Sequence, residues 1–538
     1  MKSFCFVVSI ILIWSLRSIK CSIPGPAVKA SKGEVWPKPQ QQNVSDKYFV
    51  FRPRNFEFEI AKGSSNCGFI QNALNRYFKI LQENQVILDK QTKHRGIYKY
   101  KKSWVQDDDY QGYIDCLTVN LTGGCDNNLY PDIDMDEKYK LWVTPDRTEL
   151  QATSIWGILR GLETFSQLVY LGDDGLTLRI NATVIKDYPR YKHRGLLIDT
   201  SRHFIPMDKI YLTLDALAYN KMNVLHWHIV DDQSFPYFSE KFPELSEQGA
   251  YNKYTKVYMP EDIENVIEYA RIRGIRVLPE FDTPGHTSSW GLSHPEILTP
   301  CEVYNTYGPM DPSKNATFEL LQEFFGEVRQ VFKDDFVHLG GDEVDFICWQ
   351  ADNNISNFMK KQNLTTYKDL ESFYIQKVVN MVENLQFKSI VWEEVFSNGV
   401  KLPNETLVHV WKGGWTSTMK SVTEAGKFGL LSACWYLDDI GAEWNQYYMC
   451  DPTDFDGTQE QQELVLGGEA CMWGEMVNEY NIISRVWPRA SATAEKLWSA
   501  KADGYDLDEP SRRIEEHACR LNRRGIVAQP PNGPGYCD

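Results

Sequence analysis

Phe336-Val337-His338-Leu339-Gly340-Gly341-Asp342-Glu343 is a short apolar run that ends in two glycines and two adjacent carboxylates. A run of this length, bounded by glycine, reads as a buried strand. Similar runs recur on both sides of it: Gly195–Asp199, Asn223–His228 and Arg276–Phe281 before, and Ser389–Trp392, Leu407–Trp411, Gly429–Ala433 and Val465–Cys471 after. Amphipathic segments lie between several of them or follow the last, at Asp208–Asn220, Pro260–Arg273, Thr317–Phe332, Tyr367–Leu385 and Arg489–Trp498. Apolar strands alternating with helices predict an α/β chain whose parallel strands close into a (β/α)8 TIM barrel. The connection between the fifth and sixth strands is short and shows no obvious helix.

Upstream of the barrel the pattern changes. Strand-like pieces such as Phe56–Ile60 and Lys140–Val143, and a helix over Thr153–Tyr170, predict a small α+β domain. Tyr188-Pro189-Arg190 interrupts it, because proline drives the preceding residue toward extended backbone. The expected division is a leader over 1–22, an N-terminal α+β domain over 23–188, and a barrel with a C-terminal tail over 189–538. The leader rests on Lys2 and the apolar run Phe4 to Leu16, too short for a membrane span. It implies entry into the secretory pathway, with a lysosomal or secreted destination and no membrane span.

Two features agree with that compartment. Sequons stand at Asn43, Asn120, Asn181, Asn315, Asn354, Asn363 and Asn404. The cysteines outside the leader suit disulfides, with Cys519 paired to Cys537, Cys301 to Cys348, and Cys67 to Cys116 or Cys125. The formal charge of -16, with no basic stripe, argues against a nucleic-acid partner.

In such a barrel, chemistry collects where strands end. Strand two ends in His226-Trp227-His228-Ile229-Val230-Asp231, and strand three in Glu280-Phe281-Asp282-Thr283-Pro284-Gly285-His286. Strand four ends in Asp342-Glu343, strand five in Trp392-Glu393-Glu394, and strand six in Trp411. Strand seven leads to Trp435-Tyr436-Leu437-Asp438-Asp439, and strand eight to Trp473-Gly474-Glu475. Any one carboxylate can be a helix cap, and any one Trp a plug. Together they describe a sugar pocket, in which carboxylates hold hydroxyls and indole faces hold C–H patches.

From Tyr191 onward the chain resembles glycoside hydrolase family 20, the β-N-acetylhexosaminidases, and closely the animal lysosomal type. The resemblance is carried by His193–Phe204, His226–Tyr237, Pro279–Thr287, His338–Val344, Trp435–Asp438 and Gly468–Glu475. It extends upstream through Val35–Gln40 and Arg160–Phe165. It implies release of terminal N-acetylglucosamine or N-acetylgalactosamine from glycans, glycolipids or chitooligosaccharides, no metal or other cofactor, and a homodimer.

Most glycosidases set two carboxyl groups on opposite sides of the scissile bond. Asp342 and Glu343 are neighbours in sequence and share one side, so they suggest one acid and one helper. The resemblance supplies the nucleophile, the substrate's own 2-acetamido oxygen, which gives an oxazolinium intermediate and retention. Glu343 is then the acid and base, Asp342 orients the acetamido N–H, and Tyr436 bonds its oxygen. Trp392, Trp411 and Trp473 wall the ring. Arg194, Asp438 and Glu475 hold hydroxyls, with Asp231 and His286 in support. Asp438-Asp439, where one relative type carries Asn-Arg, implies rejection of sulfated sugars. Two rival readings are a metal-dependent barrel hydrolase built on His226, His228, Asp231 and His286, and a catalytically silent sugar binder.

Overall fold

The computed structural model describes residues 25–61, 67–94, 107–501, 504 and 506–537. The leader expected over 1–22 lies outside the described residues.

The eight expected strands form, and they close. β1 (His193–Asp199), β2 (Val224–Val230), β3 (Arg276–Phe281), β4 (Phe336–His338), β5 (Lys388–Trp392), β6 (Leu407–Val410), β7 (Phe428–Leu431) and β8 (Val465–Met472) make a closed barrel in chain order. Every pairing is parallel, and β8 returns to β1 over six residue pairs, from Gly467 opposite His193 to Met472 opposite Ile198. β1 to β3 are buried along their whole length, as strands covered on both faces must be. Helices Met207–Tyr219, Pro260–Arg271, Asn315–Val331, Tyr367–Asn384 and Arg489–Trp498 pack around the outside. After β5 the chain makes only a five-residue helix, Glu393–Ser397, which explains why no helix shows in the sequence there.

The N-terminal segment builds a sheet of eight strands in which parallel and antiparallel pairs mix. Helices Gly68–His94 and Ile155–Gln167 accompany it, and the second is buried along its length. Among the described residues four disulfides staple the chain: Cys67–Cys125, Cys301–Cys348, Cys434–Cys450 and Cys519–Cys537. The first resolves the choice left open for Cys67, and the third is one the sequence reading did not pair.

The underside of the barrel meets the sheet through buried charges. Glu137, from the sheet side, binds Arg160 Nε at 2.7 Å and Arg194 Nη2 at 2.6 Å. Asp187 accepts from Lys221 Nζ at 2.8 Å, Tyr139 Oη at 2.6 Å and Trp498 Nε1 at 3.0 Å. All these side chains are buried. An ion pair enclosed this way adds little net stability, but removing one partner costs about 3–5 kcal/mol because a charge is left uncompensated.

Candidate active site

The loop after β4 presents the two carboxylates in different surroundings. Gly340 and Gly341 take φ of 67° and 93°. A Cβ on Gly340 would stand 1.6 Å from Asp282 Oδ1, so only glycine lets the chain turn under that carboxylate. Asp282 Oδ1 then accepts from Gly341 N–H at 2.8 Å. Beyond the turn the Asp342 side chain is 11% exposed and that of Glu343 is 58% exposed. Glu343 has φ of 51° and His286 φ of 57°, left-handed values that cost non-glycine residues and gather at functional sites.

His286 joins the group. Its Nδ1 lies 2.5 Å from Asp282 Oδ2 and 3.9 Å from Asp342 Oδ1, and its Nε2 lies 3.7 Å from Glu343 Oε2. Burial works against the His286 cation, but the carboxylates of Asp282, Asp342 and Asp231 outweigh it and push the imidazole up to about 11. The Asp342 carboxyl is raised well above the usual range, first by burial and then by the charge of Asp282, with His286 opposing. Its Oδ1 is buried and has no hydrogen-bond partner among the described residues.

Four aromatic rings close a box beside these groups. Trp392 to Trp411 spans 6.4 Å between ring centroids, Trp411 to Tyr436 6.0 Å, Tyr436 to Trp473 6.5 Å, and Trp473 back to Trp392 6.2 Å. The rings come from the ends of β5, β6, β7 and β8, four separate strands. Trp392 Nε1 donates to Glu280 Oε1 at 2.9 Å, and Trp411 Nε1 to Glu394 Oε2 at 3.0 Å, so two of the indoles are fixed by their only polar atom. Tyr436 is held by β8, with Leu437 N–H donating to Cys471 O at 2.8 Å. Burial first, and then the nearby Asp342 and Asp438 among other charges, raise the phenol, so Tyr436 keeps its proton and can donate it in a hydrogen bond. Partial burial, then Glu475 and Asp439, raise the Asp438 carboxyl.

One expected residue is elsewhere. Arg194 begins β1, at the opposite end of the barrel from the rim. Its guanidinium is buried and used up by Glu137, Lys221 O and Tyr191 O. It binds the domain interface and cannot hold a sugar hydroxyl. The arginine at the rim is Arg202, eight residues on, after β1 has ended. Its Nη1 lies 3.0 Å from Asp199 Oδ2 and its Nη2 2.9 Å from Asp231 Oδ2, with Cζ 5.3 Å from the Trp473 ring centroid. The strand-end rule, applied to strand one as to the others, points to it.

Under the rim the barrel interior is polar. Glu280 and Glu469 are wholly buried among His193, His226, His228 and His338. His228 Nε2 reaches Asp231 Oδ2 at 2.8 Å, which links this core to Arg202. His226/His409/Glu469, His226/Glu280/His338 and Asp282/His286/Asp342 each bring three possible ligand atoms together. Both nitrogens of His228 already face carboxylates, and His228 is driven well above its ordinary value because Glu280 and Asp231 outweigh burial.

This core sets a pH dependence. Burial lowers His226, but Glu469 and Glu280 more than offset it and raise the group to about 9. Its contribution to stability is therefore complete below 6.5, its ordinary value, and is lost as pH rises through about 9. His193, His338 and His409 are shifted down, chiefly by burial, so they subtract stability as pH falls below 6.5. Thermal unfolding followed from about pH 4 to 9 is expected to show a midpoint that declines on both sides of a maximum. A midpoint that keeps rising through the alkaline half would contradict the paired state of His226.

The chain as a whole is similar to known proteins. Residues 191–501 match the model for "Glycosyl hydrolase family 20, catalytic domain", and residues 35–168 match "beta-acetyl hexosaminidase like". The chain belongs to glycosyl hydrolase family 20. It is similar to the beta-hexosaminidase subunit beta of Homo sapiens, 45% identical over 95% of this chain and 91% of that one. It is also similar to the subunit alpha of Rattus norvegicus, 44% identical over 94% and 95%. Among solved structures, a Flavobacterium johnsoniae chitobiase superposes with a TM-score of 0.78 at 31% identity, covering 92% of this chain and 73% of that one. This family 20 chain is a glycoside hydrolase with β-N-acetylhexosaminidase activity. No described helix is long and apolar enough to cross a membrane.

Proposed function

We propose that the aromatic box receives the 2-acetamido group of a terminal N-acetylhexosamine, and that Asp342 and Tyr436 aim its oxygen at C1 while Glu343 supplies the proton. The observation that carries this reading is the juxtaposition of a closed box of rings with an enclosed, unbonded acceptor, Asp342 Oδ1. A methyl group fits against indole faces, and an amide N–H satisfies a buried carboxylate oxygen that otherwise costs free energy.

In the first step Glu343 gives its proton to the glycosidic oxygen. The C1–O bond breaks as the acetamido oxygen bonds to C1, leaving an oxazolinium ring. Asp342 accepts from the acetamido N–H and balances the positive charge, and Tyr436 donates to the attacking oxygen and fixes its direction. The Glu343 carboxylate then takes a proton from water, whose oxygen bonds C1 as the ring reopens. Two displacements at C1 give retention. Arg202 replaces Arg194 as the arginine that binds ring hydroxyls, with Asp438 and Glu475. His286 and Asp231 hold Asp342, Glu343 and Arg202 in place.

Three aryl glycosides test this directly. The plain N-acetylglucosaminide should turn over fastest. The glucoside lacks the nucleophile and should be slower by at least 10³-fold, a loss on the scale of an intramolecular reaction partner. The 6-sulfated N-acetylglucosaminide should also be disfavoured, since Asp438, Asp439 and Glu475 would face its charge. Efficient glucoside cleavage would sink the substrate-assisted mechanism. The proposal also covers release from glycoprotein, glycolipid or chitin-derived chains in a lysosomal or extracellular setting, the division of the chain at residue 188, and assembly as a homodimer. The curated relatives are themselves named as subunits.

A further inference from the structure

Tyr436 bridges to Cys471 of β8, but the loop that follows it and carries Asp438 has no regular structure of its own, yet the mechanism needs both placed closely. What holds that loop is visible on its far side. Arg489 opens the helix Arg489–Trp498 after β8 and is 3% exposed. Its Nη2 donates to Leu437 O at 2.5 Å and to Arg485 O at 2.6 Å. Its Nη1 donates to Asp439 O at 3.1 Å, Ala442 O at 3.3 Å and Tyr447 Oη at 3.4 Å, and its Nε to Arg485 O at 2.8 Å. Among the described residues every hydrogen bond of Arg489 goes to a carbonyl or a phenol, and none of them to a carboxylate.

A buried guanidinium without an ion-pair partner is an expensive way to stabilise a fold. It is a good way to fix a backbone. The planar fork offers five N–H groups in a set geometry, and three carbonyls from one loop, at 437, 439 and 442, converge on it. The loop is gripped from other sides too. Tyr447 Oη donates to Tyr436 O at 2.9 Å, Trp435 Nε1 donates to Tyr447 O at 3.0 Å, and the Cys434–Cys450 disulfide closes its base.

We infer that Arg489 is a positioning residue for the reaction: by fixing the carbonyls of the 437–442 loop it sets the Tyr436 hydroxyl and the Asp438 carboxylate at the sugar, without touching substrate itself. The inference rests on the roles proposed above for Tyr436 and Asp438. Lysine, with one nitrogen and a shorter reach, cannot reproduce the fork that serves the 437, 439 and 442 carbonyls together with Arg485 O.

The test compares Arg489→Lys, Arg489→Met and Tyr436→Phe, with rates expressed per folded molecule. Each Arg489 variant is expected to lose about 10²-fold in kcat, the cost of a displacement of about 1 Å, with KM within threefold. Affinity for a fused thiazoline of N-acetylglucosamine, which copies the oxazolinium ring, should fall in parallel with kcat/KM. A merely structural role would lower the unfolding midpoint and leave kcat and the thiazoline affinity unchanged, and that result overturns the inference. Tyr436→Phe should lose about 10²-fold as well, as for one oxyanion donor. If it retains full activity, the reading of Tyr436 fails and the positioning role falls with it. If Tyr436→Phe is impaired while the Arg489 variants are not, the positioning role alone is wrong. Should neither Arg489 variant fold, Tyr447→Phe removes one hydroxyl bond to Tyr436 O and reads the same loop. A loss of about tenfold in kcat supports the inference, and unchanged kcat overturns it.

Discussion

Glu343→Gln is expected to lower turnover of an aryl N-acetylglucosaminide by about 10²–10⁴-fold, the range for losing a general acid. The amide keeps the shape of the carboxyl but has no proton to give in the first step and no carboxylate to receive one in the second. The side chain is 58% exposed and its contact with His286 Nε2, at 3.7 Å, is long and open to solvent, so folding should change little. The left-handed backbone at 343 is set by the turn before it and suits glutamine no worse than glutamate. The size of the loss should depend on the leaving group. A phenol acidic enough to depart without protonation should recover most of the first step, while a sugar leaving group should show the full defect. KM should move little, because the ring is held by the indoles and by Arg202. Near-normal turnover on a glycan substrate would remove Glu343 from the chemistry.

Asp342→Asn is expected to cost about 10²–10³-fold in kcat, the range for deleting one preorganised electrostatic contact to a charge that develops in the transition state. The argument is the environment. This carboxylate is enclosed, Asp282 lies beside it, and its Oδ1 has no partner. Burial and Asp282 favour its neutral form before substrate binds, and the cation that forms beside it favours the carboxylate; in a site of low local dielectric that pairing of charges is worth far more than in water. Asparagine keeps one acceptor but carries no charge, so it can meet the acetamido N–H without balancing the cation. The fall should therefore be in kcat, with KM and the binding of product changed far less. An Asp342→Asn enzyme with unchanged kcat would mean that the cation is stabilised elsewhere.

Much of this was legible in the residues. The barrel strands are covered on both faces, so they stand out as continuous apolar runs, and their expected limits fall close to the observed ones. The weak repeat, after β5, is weak because the helix there is five residues long. The N-terminal sheet was read only in part. Its strand Gln41–Phe51 is mostly exposed and does not alternate, so it carries no periodic signal, whereas the helix Gly68–His94 buries Ile70, Leu74, Tyr77 and Leu81 at helical spacing and was legible in the residues. At the site, acids and indoles at strand ends could be found because the barrel converts strand order into a ring. Arg194 misled because a family motif was followed in place of that rule. Arg202, in the same motif, lies past the end of β1, where the rule applies. The roles of Glu280 and His228 were hidden for a different reason: a buried histidine and a buried glutamate look ordinary until their partners, two or three strands away, are known.

The charged seam under the barrel has a consequence for how this enzyme can fail. Glu137 and Asp187 are far from the chemistry, yet either one lost would strand an arginine or a lysine at about 3–5 kcal/mol, out of a total stability of about 5–15 kcal/mol. Such a lesion would spare the rate of each finished molecule and reduce how many are finished. Quantity and quality are thus written in different halves of the chain. A defect of quantity is also open to repair by mass action: a ligand that seats at the rim, at a hundred times its dissociation constant, returns about 2.7 kcal/mol to the native state without touching the damaged half.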